Sequence, residues 1–380
     1  MPSHSLNRST FIDERIFDRP VYALLGIPVD ALSTVQTCDR LVDAVRSELP
    51  CFFTTPNLNF LVACQTDANF RDSVIDSDLV VADGQPLVRI AKLLDIPITE
   101  RVAGSTVFER LRRRRYGDPL AVYFFGGPEG IAERASNRLT DEHVGMSGVG
   151  AHYPGFGSFD DMLAPTVLSS INAQKVDILV VALGAKKGQA WIQAARDQLD
   201  AKVITHLGAV VNFVAGTVKR APIFLQKIGM EWLWRIYQEP GLFRRYFSDG
   251  KTYLHLLFKH VLPLRRYQRR LTRKYHGTGL NTVKVRATAE LFCLEVIGFA
   301  SNELLPNLRA ALKGLLSRSP TQVHIDLSQC KYLDAAFLGQ VLLLLKVQRS
   351  RNQPLLINGA NPEVEKLLEL HAVKYLLRGH

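Results

Sequence analysis

Residues 78–86 read Asp-Leu-Val-Val-Ala-Asp-Gly-Gln-Pro, a short apolar run that leads directly into an aspartate, a glycine and a proline. Comparable runs, each the length of one buried strand, occur at 51–55, 121–126, 178–183 and 202–207. Segments with helical spacing lie between them, at 34–47, 58–65, 86–94, 106–115, 130–139 and 189–198. Because crossover helices cover both faces of a parallel sheet, its strands are continuously apolar, and this pattern predicts an α/β fold.

Ligands bind such sheets at the carboxyl ends of the strands, so the residues that follow each strand are candidate site residues. They include Thr55 and Asn57, Asp83, the pair Gly126 and Gly127, Gly184, and Gly208. Glycines before a helix let backbone amides and the helix N-terminus approach a phosphate. Each glycine alone is more typical of an ordinary tight turn, but their clustering on one edge favours a nucleotide. No Walker A or GxGxxG sequence follows these strands, which argues against P-loop and dinucleotide sites.

Two acidic positions near this edge have different interpretations. Asp83 directly follows a strand, and partial burial there would raise its pKa and suit it to act as a general base. An aspartate before glycine is equally a turn former. The string Asp76-Ser77-Asp78 has the spacing of a divalent-ion site. It precedes its strand, at the opposite edge of the sheet, and we therefore interpret it as structural.

The composition restricts the class of protein. A length of 380 residues predicts two or three domains, and 22% charged with 47% hydrophobic residues excludes long disorder. Five scattered cysteines fit neither a disulfide framework nor a zinc site, which favours a reducing cytosol. No secretory signal and no apolar stretch of roughly 20 residues occurs, so we expect any membrane contact to be peripheral. The net charge of +11 is concentrated in 244–274, which indicates an anionic partner.

Several strings together resemble the WecG/TagA/CpsF glycosyltransferases of bacterial surface polysaccharide synthesis. The resemblance spans about 22–249, and its strings are GIPVD at 26–30, TPN at 55–57, DLVVADG at 78–84, RVAGS at 101–105, AGTVKRAP at 215–222, GMEWLWR at 229–235 and EP at 239–240.

This resemblance implies a Rossmann-like core that transfers a sugar from a UDP-sugar to a polyprenyl-diphosphate-linked acceptor, with inversion and without an obligatory metal or cofactor. The setting would be exopolysaccharide or related glycan assembly on the cytoplasmic membrane face. Asp83 falls on the family's proposed base, and Thr55 and Asn57 fall on residues that orient substrate hydroxyls. Further expected substrate contacts are Arg101, Gly104, Gly126, Gly127, Gly184, Gln189, Arg235, Arg244 and Arg245. Arginines suit diphosphate because they pair with it bidentately.

The chain departs from the family pattern near the expected site. Thr106, Gln189 and Asn212 stand where acids are usual, and Lys186 stands where proline is common. The family's arginine soon after Glu-Pro is replaced by Gly241 or Leu242, which puts a diphosphate contact there in doubt. One hypothesis is a pocket that accepts a different, possibly acidic, sugar. The other is a domain that has lost catalysis and binds UDP or lipid-linked sugar as a scaffold.

The basic segment predicts a membrane anchor. Leu254, Leu257, Phe258 and Val261 form an apolar stripe at helical spacing that we expect to end near Pro263, and Arg265, Arg266, Arg269 and Arg270 follow. An amphipathic helix beside an arginine cluster is typical of an interfacial anchor on anionic lipid. A solvated interdomain helix and a nucleic-acid patch are the alternatives. The implied lipid acceptor favours the membrane, with no nucleic-acid partner.

The C-terminal residues have their own pattern, with strands predicted at 291–297, 322–327 and 355–357 and helices at 304–316, 337–349 and 362–370. They resemble the STAS domain of anti-sigma-factor antagonists and sulfate transporters, particularly at 325–328 and 332–339. Ala335 and Ala336 replace the serines of phosphorylated members, so a phosphoserine switch is excluded. We interpret the domain as a docking module for a partner protein or a second copy, with a stabilising appendage as the alternative. The predicted organisation is 1–20 extension, 21–230 core, 231–276 basic appendage and 281–378 STAS-like domain.

Overall fold

We analysed the protein as a computed structural model. The structure describes residues 14–155, 157–218, 221–222, 224–225, 231–238, 241–275, 280–288, 290–318 and 320–378, and at positions 231, 232, 235, 238, 242, 245 and 246 it describes the backbone alone.

The N-terminal part contains a six-stranded parallel sheet, as the apolar runs predict. An antiparallel hairpin, β1 (Val21–Leu24) and β2 (Ile27–Asp30), precedes it. The sheet strands are β3 (Cys51–Thr54), β4 (Leu79–Val80), β5 (Leu120–Gly126), β6 (Met146–His152), β7 (Ile178–Ala182) and β8 (Val203–His206), in the order β4-β3-β8-β7-β5-β6. The sequence pattern did not predict the hairpin. It also missed the edge strand β6, because β6 contains serine and glycines instead of an apolar run.

Helices cover both faces of this sheet. They are α1 (Thr34–Arg46), α2 (Leu58–Thr66), α3 (Ala68–Ile75), α4 (Gln85–Leu93), α5 (Gly104–Arg112), α6 (Ile131–Glu142), α7 (Pro165–Asn172), α8 (Ala185–Ala195) and α9 (Gly208–Ala215). Helices α1, α5, α6 and α9 share one apolar core, and α7 and α8 share the core on the opposite face, where Trp191 stacks on Phe125. The α/β fold class is therefore confirmed.

A long helical appendage follows the core. It comprises α10 (Glu231–Gln238), α11 (Leu242–Leu256), a π-helical turn (Leu257–Val261) and α12 (Leu262–Tyr275). The expected end of the helix near Pro263 is wrong. The π-helical turn ends two residues before the proline, and irregular turns of this kind accommodate a residue that cannot donate a backbone hydrogen bond.

The C-terminal domain combines a mixed sheet with three helices. Its elements are β9 (Thr282–Ala287), β10 (Leu291–Ala300), α13 (Leu305–Arg318), β11 (Gln322–Asp326), β12 (Cys330–Leu333), α14 (Ala335–Ser350), β13 (Leu355–Asn358) and α15 (Pro362–Leu370). The parallel strands run in the order β12-β10-β11-β13, and β9 pairs antiparallel with β10. The predicted strands and helices are all present. The sequence pattern missed only the short β12 and the half-exposed β9 among the described strands.

The two domains pack against each other through α14. Every residue of this helix from Ala335 to Gln348 is buried, which explains why most of them are apolar. It lies against β1 so closely that a β-carbon added at Gly339 would stand 2.1 Å from the carbonyl oxygen of Val21. One hydrophobic core therefore joins the hairpin to the C-terminal domain.

Ion pairs fix the orientation of α14 on the core. The buried Lys346 donates to the carboxylate of Asp78 and, over 3.0 Å, to the carbonyl of Ser77. Arg349 contacts Asp76 (3.1 Å) and Asp72 (2.9 Å). The acidic string 76–78 thus serves the domain interface, in agreement with its structural interpretation.

Candidate active site

The carboxyl ends of the six strands form one edge, which we call the ligand edge. The chain leaves β5 towards β6 and leaves β7 in the opposite direction, towards β8. Such a divergence opens a crevice where α/β sheets bind ligands. Neighbouring strands lie about 4.8 Å apart, so the residues after β3 and those after β7 are separated by about 10 Å. A ligand that reaches both must be extended.

Asp83 and Arg101 form an ion pair at the β4 end of the ligand edge. The amide of Val102 donates to the carbonyl of Ala82 (2.9 Å), which draws the segment before α5 alongside Asp83. Arg101 Nε then lies 3.2 Å from Asp83 Oδ1, and both side chains are about one-fifth to one-quarter exposed. A guanidinium at this distance donates a charge-assisted hydrogen bond that orients the carboxylate.

Thr55 and Gly104 lie beside this pair. Thr55 is buried at the end of β3. A β-carbon at Gly104 would stand 2.2 Å from Leu207 Cδ2 and 3.1 Å from Thr55 Oγ1, so a larger residue would require the Leu207 side chain to move and would crowd the threonine. Asn57 is exposed and caps α2, with its Oδ1 accepting from the amide of Phe60 (3.2 Å). The structure therefore brings Thr55, Asn57, Asp83, Arg101 and Gly104 to one end of the ligand edge.

The predicted glycines occupy the crevice between β5 and β7. Gly126 pairs with Ala182, and the amide of Gly127 donates to the carbonyl of Ala182 (2.9 Å), so that amide is already engaged. Nothing lies within 4 Å of a β-carbon built on Gly184, which leaves open space before α8. Lys186 pairs with Asp67 over 2.8 Å, so its ammonium charge is partly compensated.

Gln189 lies behind the ligand edge. Its side chain is fully buried, and its Nε2 donates to Thr54 Oγ1 over 3.3 Å. In this conformation the amide positions β3 and is covered by protein, and a direct contact with substrate stays a prediction.

Sequence reasoning missed His206, the last residue of β8. Its ring packs on Gly188, and its Nε2 is buried with no hydrogen-bond partner among the described residues. Burial lowers the pKa of His206 to about 4, so the imidazole is neutral at physiological pH. A histidine at the end of an apolar run was the signal that could have identified it.

The appendage residues are only partly described. Arg235 and Arg245 lie in α10 and α11, but their side chains are outside the described residues. The side chain of Arg244 is exposed. Of the predicted arginine cluster, Arg266, Arg269 and Arg270 are exposed, and Arg265 is half-buried.

The predicted apolar stripe is partly wrong. Leu254 and Phe258 are exposed, Leu257 is half-buried, and Val261 is fully buried in the core shared with the C-terminal domain. The exposed apolar face extends further back, through Phe243 and Phe247, whose rings stack at 6.2 Å. None of the helices in the described parts of the chain is long and apolar enough to cross a membrane.

A cavity of about 270 Å³ lies next to the ligand edge, between α5, α6 and α9. Ser105, Arg112, Arg138 and Phe213 line it, and neither Asp83 nor Thr55 does. It is therefore distinct from the Asp83–Arg101 end of the ligand edge.

The fold is an α/β fold whose parallel sheet has a crevice at the carboxyl ends of its strands, the edge at which such sheets bind ligands. The family model described as "Glycosyl transferase WecG/TagA/CpsF family" matches residues 22–267, and that described as "Mlab, STAS domain" matches residues 283–378. The chain belongs to the WecG/TagA/CpsF family. It is a glycosyltransferase that carries a C-terminal STAS domain.

Curated relatives are similar to just over half of the chain. Proteins of Staphylococcus aureus strains MRSA252 and COL, both named N-acetylglucosaminyldiphosphoundecaprenol N-acetyl-beta-D-mannosaminyltransferase, are 25% and 24% identical over 214 residues, which are 56% of this chain and 82% of theirs. Among solved structures, a Cd-bound periplasmic metal binding protein from candidatus liberibacter asiaticus is 10% identical with a TM-score of 0.16, covering 68% of this chain and 97% of that one. A likeness this weak has no bearing on the fold or the function.

Proposed function

We propose that the protein transfers a sugar from a UDP-sugar to a polyprenyl-diphosphate-linked glycan acceptor at the cytoplasmic face of the membrane. The observation that carries the proposal is the Asp83–Arg101 pair beside Thr55, Asn57 and Gly104 at one end of the ligand edge. The Staphylococcus aureus relatives support the acceptor class, since their name contains a diphosphoundecaprenol-linked sugar. A role in exopolysaccharide or related glycan assembly stays a prediction.

In the proposed reaction, Asp83 is the general base. Its carboxylate takes the proton of the acceptor hydroxyl while that oxygen bonds to the anomeric carbon, and the bond from this carbon to the diphosphate breaks to release UDP. Attack from the face opposite the diphosphate inverts the anomeric centre. Arg101 orients the carboxylate. Thr55 and Asn57 position substrate hydroxyls, and Gly184 lets the donor diphosphate approach the N-terminus of α8.

The appendage supports a membrane location. Phe243, Phe247, Leu254 and Phe258 are between 53% and 68% exposed and share one helix face, with Lys251 over the Phe247 ring. Exposed basic residues continue along the same appendage. Aromatic side chains flanked by cations match the interface of an anionic bilayer, where a lipid-linked acceptor is found. Arg235, Arg244 and Arg245 would then contact the diphosphate from the membrane side.

The second candidate function is an inactive scaffold that binds UDP or lipid-linked sugar. The three neutral replacements favour it, and the retention of Asp83 within an ion pair favours catalysis.

The test is to incubate the purified chain with a panel of UDP-sugars, including uronic acids, and a detergent-solubilised polyprenyl-diphosphate-sugar. Release of UDP and the mass of the acceptor are measured together. We expect growth of the acceptor by one hexose or uronic acid. Binding of UDP without growth of any acceptor would contradict transfer and support the scaffold.

A further inference from the structure

The STAS domain contacts two parts of the glycosyltransferase at once. Its helix α14 packs against the core. Lys346 and Arg349 pair with carboxylates that precede β4, and Gly339 lies against β1. Through α15 and β12 it contacts the appendage helix α12. The helix that contributes most to the first contact is buried, so it offers no free surface to another protein.

The contact with the appendage is built along one face of α12. Leu264, Gln268, Leu271 and Tyr275 recur at helical spacing on this face, and both leucines are fully buried. The Nε2 atoms of Gln268 and His371 lie 3.4 Å apart, within hydrogen-bond reach. Glu363 at the start of α15 accepts from Lys274 Nζ (2.8 Å) and from Tyr275 Oη (2.7 Å).

The contact continues at the π-helical turn. His260 Nδ1 lies 3.2 Å from the carbonyl oxygen of Leu370, the last residue of α15. The exposed apolar face of the appendage begins directly before this point, at Phe258 and Leu254. The residues that we assign to the membrane therefore extend from a helix whose other end is fixed to the STAS domain.

We propose that the STAS domain is an internal clamp, which binds the glycosyltransferase core with α14 and holds the appendage helix with α15 and β12. The partner of this domain is thus its own chain. The clamp fixes the membrane-facing segment relative to the ligand edge together with the direct contacts that α11 and the π-helical turn make with α2 and α4 of the core. Its consequence for catalysis rests on the proposed function, while its effect on the appendage does not.

Hydrogen exchange of the full chain tests the clamp directly. The variant Leu271→Ala with Glu363→Gln removes apolar and polar contacts between α12 and the STAS domain. Amides of α12 should exchange at least tenfold faster than in the wild type, whereas those of α14 should keep their rates. The matched control is Glu365→Gln, which removes the same charge at an exposed position of α15. It should leave the exchange rates of α12 and α14 unchanged.

A milder variant, Tyr275→Phe with Glu363→Gln, removes only polar contacts and protects the test against misfolding. A smaller rise in the amide exchange rates, confined to α12, supports the clamp. Exchange rates of α12 within twofold of the wild type in both variants would overturn it. A rise that includes α14 in the milder variant would also overturn it, since α12 would then be part of the domain's own fold.

Transfer to a lipid-linked acceptor in vesicles separates the clamp from the proposed function. Variants with a loosened α12 should lose at least tenfold in transfer and still bind UDP. Loosening without loss of transfer would show that the clamp does not serve the reaction. A wild-type chain without any transfer would contradict the proposed function, and the exchange rates would still decide the clamp.

Discussion

At the residue scale, the strand ends predict which side chains reach the ligand edge, but not which of them pair. The position of Asp83 after an apolar run predicts a site residue, whereas only the family resemblance indicates Arg101. Their ion pair depends on the backbone hydrogen bond from Val102 to Ala82, a contact between residues twenty positions apart that no local sequence pattern reveals. The burial of Gln189 was likewise unpredictable, because it depends on how α8 packs over Thr54.

The first prediction concerns Arg101. Arg101→Gln removes the charge that orients Asp83, and charged hydrogen bonds of this kind contribute about 1.5–3 kcal/mol, so kcat/KM for transfer should fall about 10- to 100-fold. Arg101→Lys should recover part of the loss. The control is Arg113→Gln, which breaks a solvent-exposed pair with Glu109 and should stay within twofold of the wild type. An unchanged rate in Arg101→Gln would remove this residue from the site.

At the element scale, the helices and strands were predictable where their apolar periodicity is strong. The π-helical turn before Pro263 was not, since its residues keep ordinary helical composition. The burial of α14 could have been predicted from its run of leucines, because a helix with apolar residues on most sides must be covered on most sides. Only the structure shows which elements cover this helix.

The second prediction concerns two helical glycines. Gly339→Ala should destabilise the protein by about 1–3 kcal/mol, because the added methyl group overlaps the Val21 carbonyl. Gly314→Ala in α13 meets no atom within 4 Å and should stabilise by about 0.5–1 kcal/mol through helix propensity. Urea unfolding measures both. Equal effects of the two substitutions would contradict the close approach of α14 to β1.

At the scale of the whole molecule, the sequence predicts two domains joined by a basic appendage, and a STAS domain that docks a partner protein or a second copy or merely stabilises the chain. The structure shows that the main helix of this domain packs on the glycosyltransferase core, and docking to another protein stays a prediction. The residues involved lie up to about three hundred positions apart in the chain, so their pairing depends on tertiary packing that no spacing in the sequence indicates.

The third prediction concerns acid. Burial lowers the pKa of His371 to about 3 from an ordinary 6.5. Below pH 6.5 the unfolded chain therefore binds a proton that the native chain does not, and the free energy of unfolding falls as the pH drops. His371→Leu should shrink the loss of stability between pH 7 and pH 5 by about 1–2 kcal/mol, measured by urea unfolding at both values. An identical loss in the variant would show that His371 is protonated in the native state.

The fourth prediction concerns membrane binding. Affinity for anionic vesicles should fall with added salt. Changing Arg266, Arg269 and Arg270 to glutamine should weaken the binding free energy by about 1 kcal/mol per residue. Phe243→Ser with Phe258→Ser should weaken binding further. The control is Tyr116→Ser, an exposed aromatic residue on the core, which should bind like the wild type. Binding insensitive to salt and to these changes would contradict the anchor.

The measurement that tests the central claim most directly is the single-turnover rate of sugar transfer by Asp83→Asn. A missing general base should lower this rate by about 10²- to 10⁴-fold, while the affinity for UDP stays within a few-fold of the wild type. Asp43→Asn, an equal change in α1 on the outer surface of the core, should transfer at the wild-type rate. A rate within a few-fold of the wild type in Asp83→Asn would contradict the assignment of Asp83 as the base.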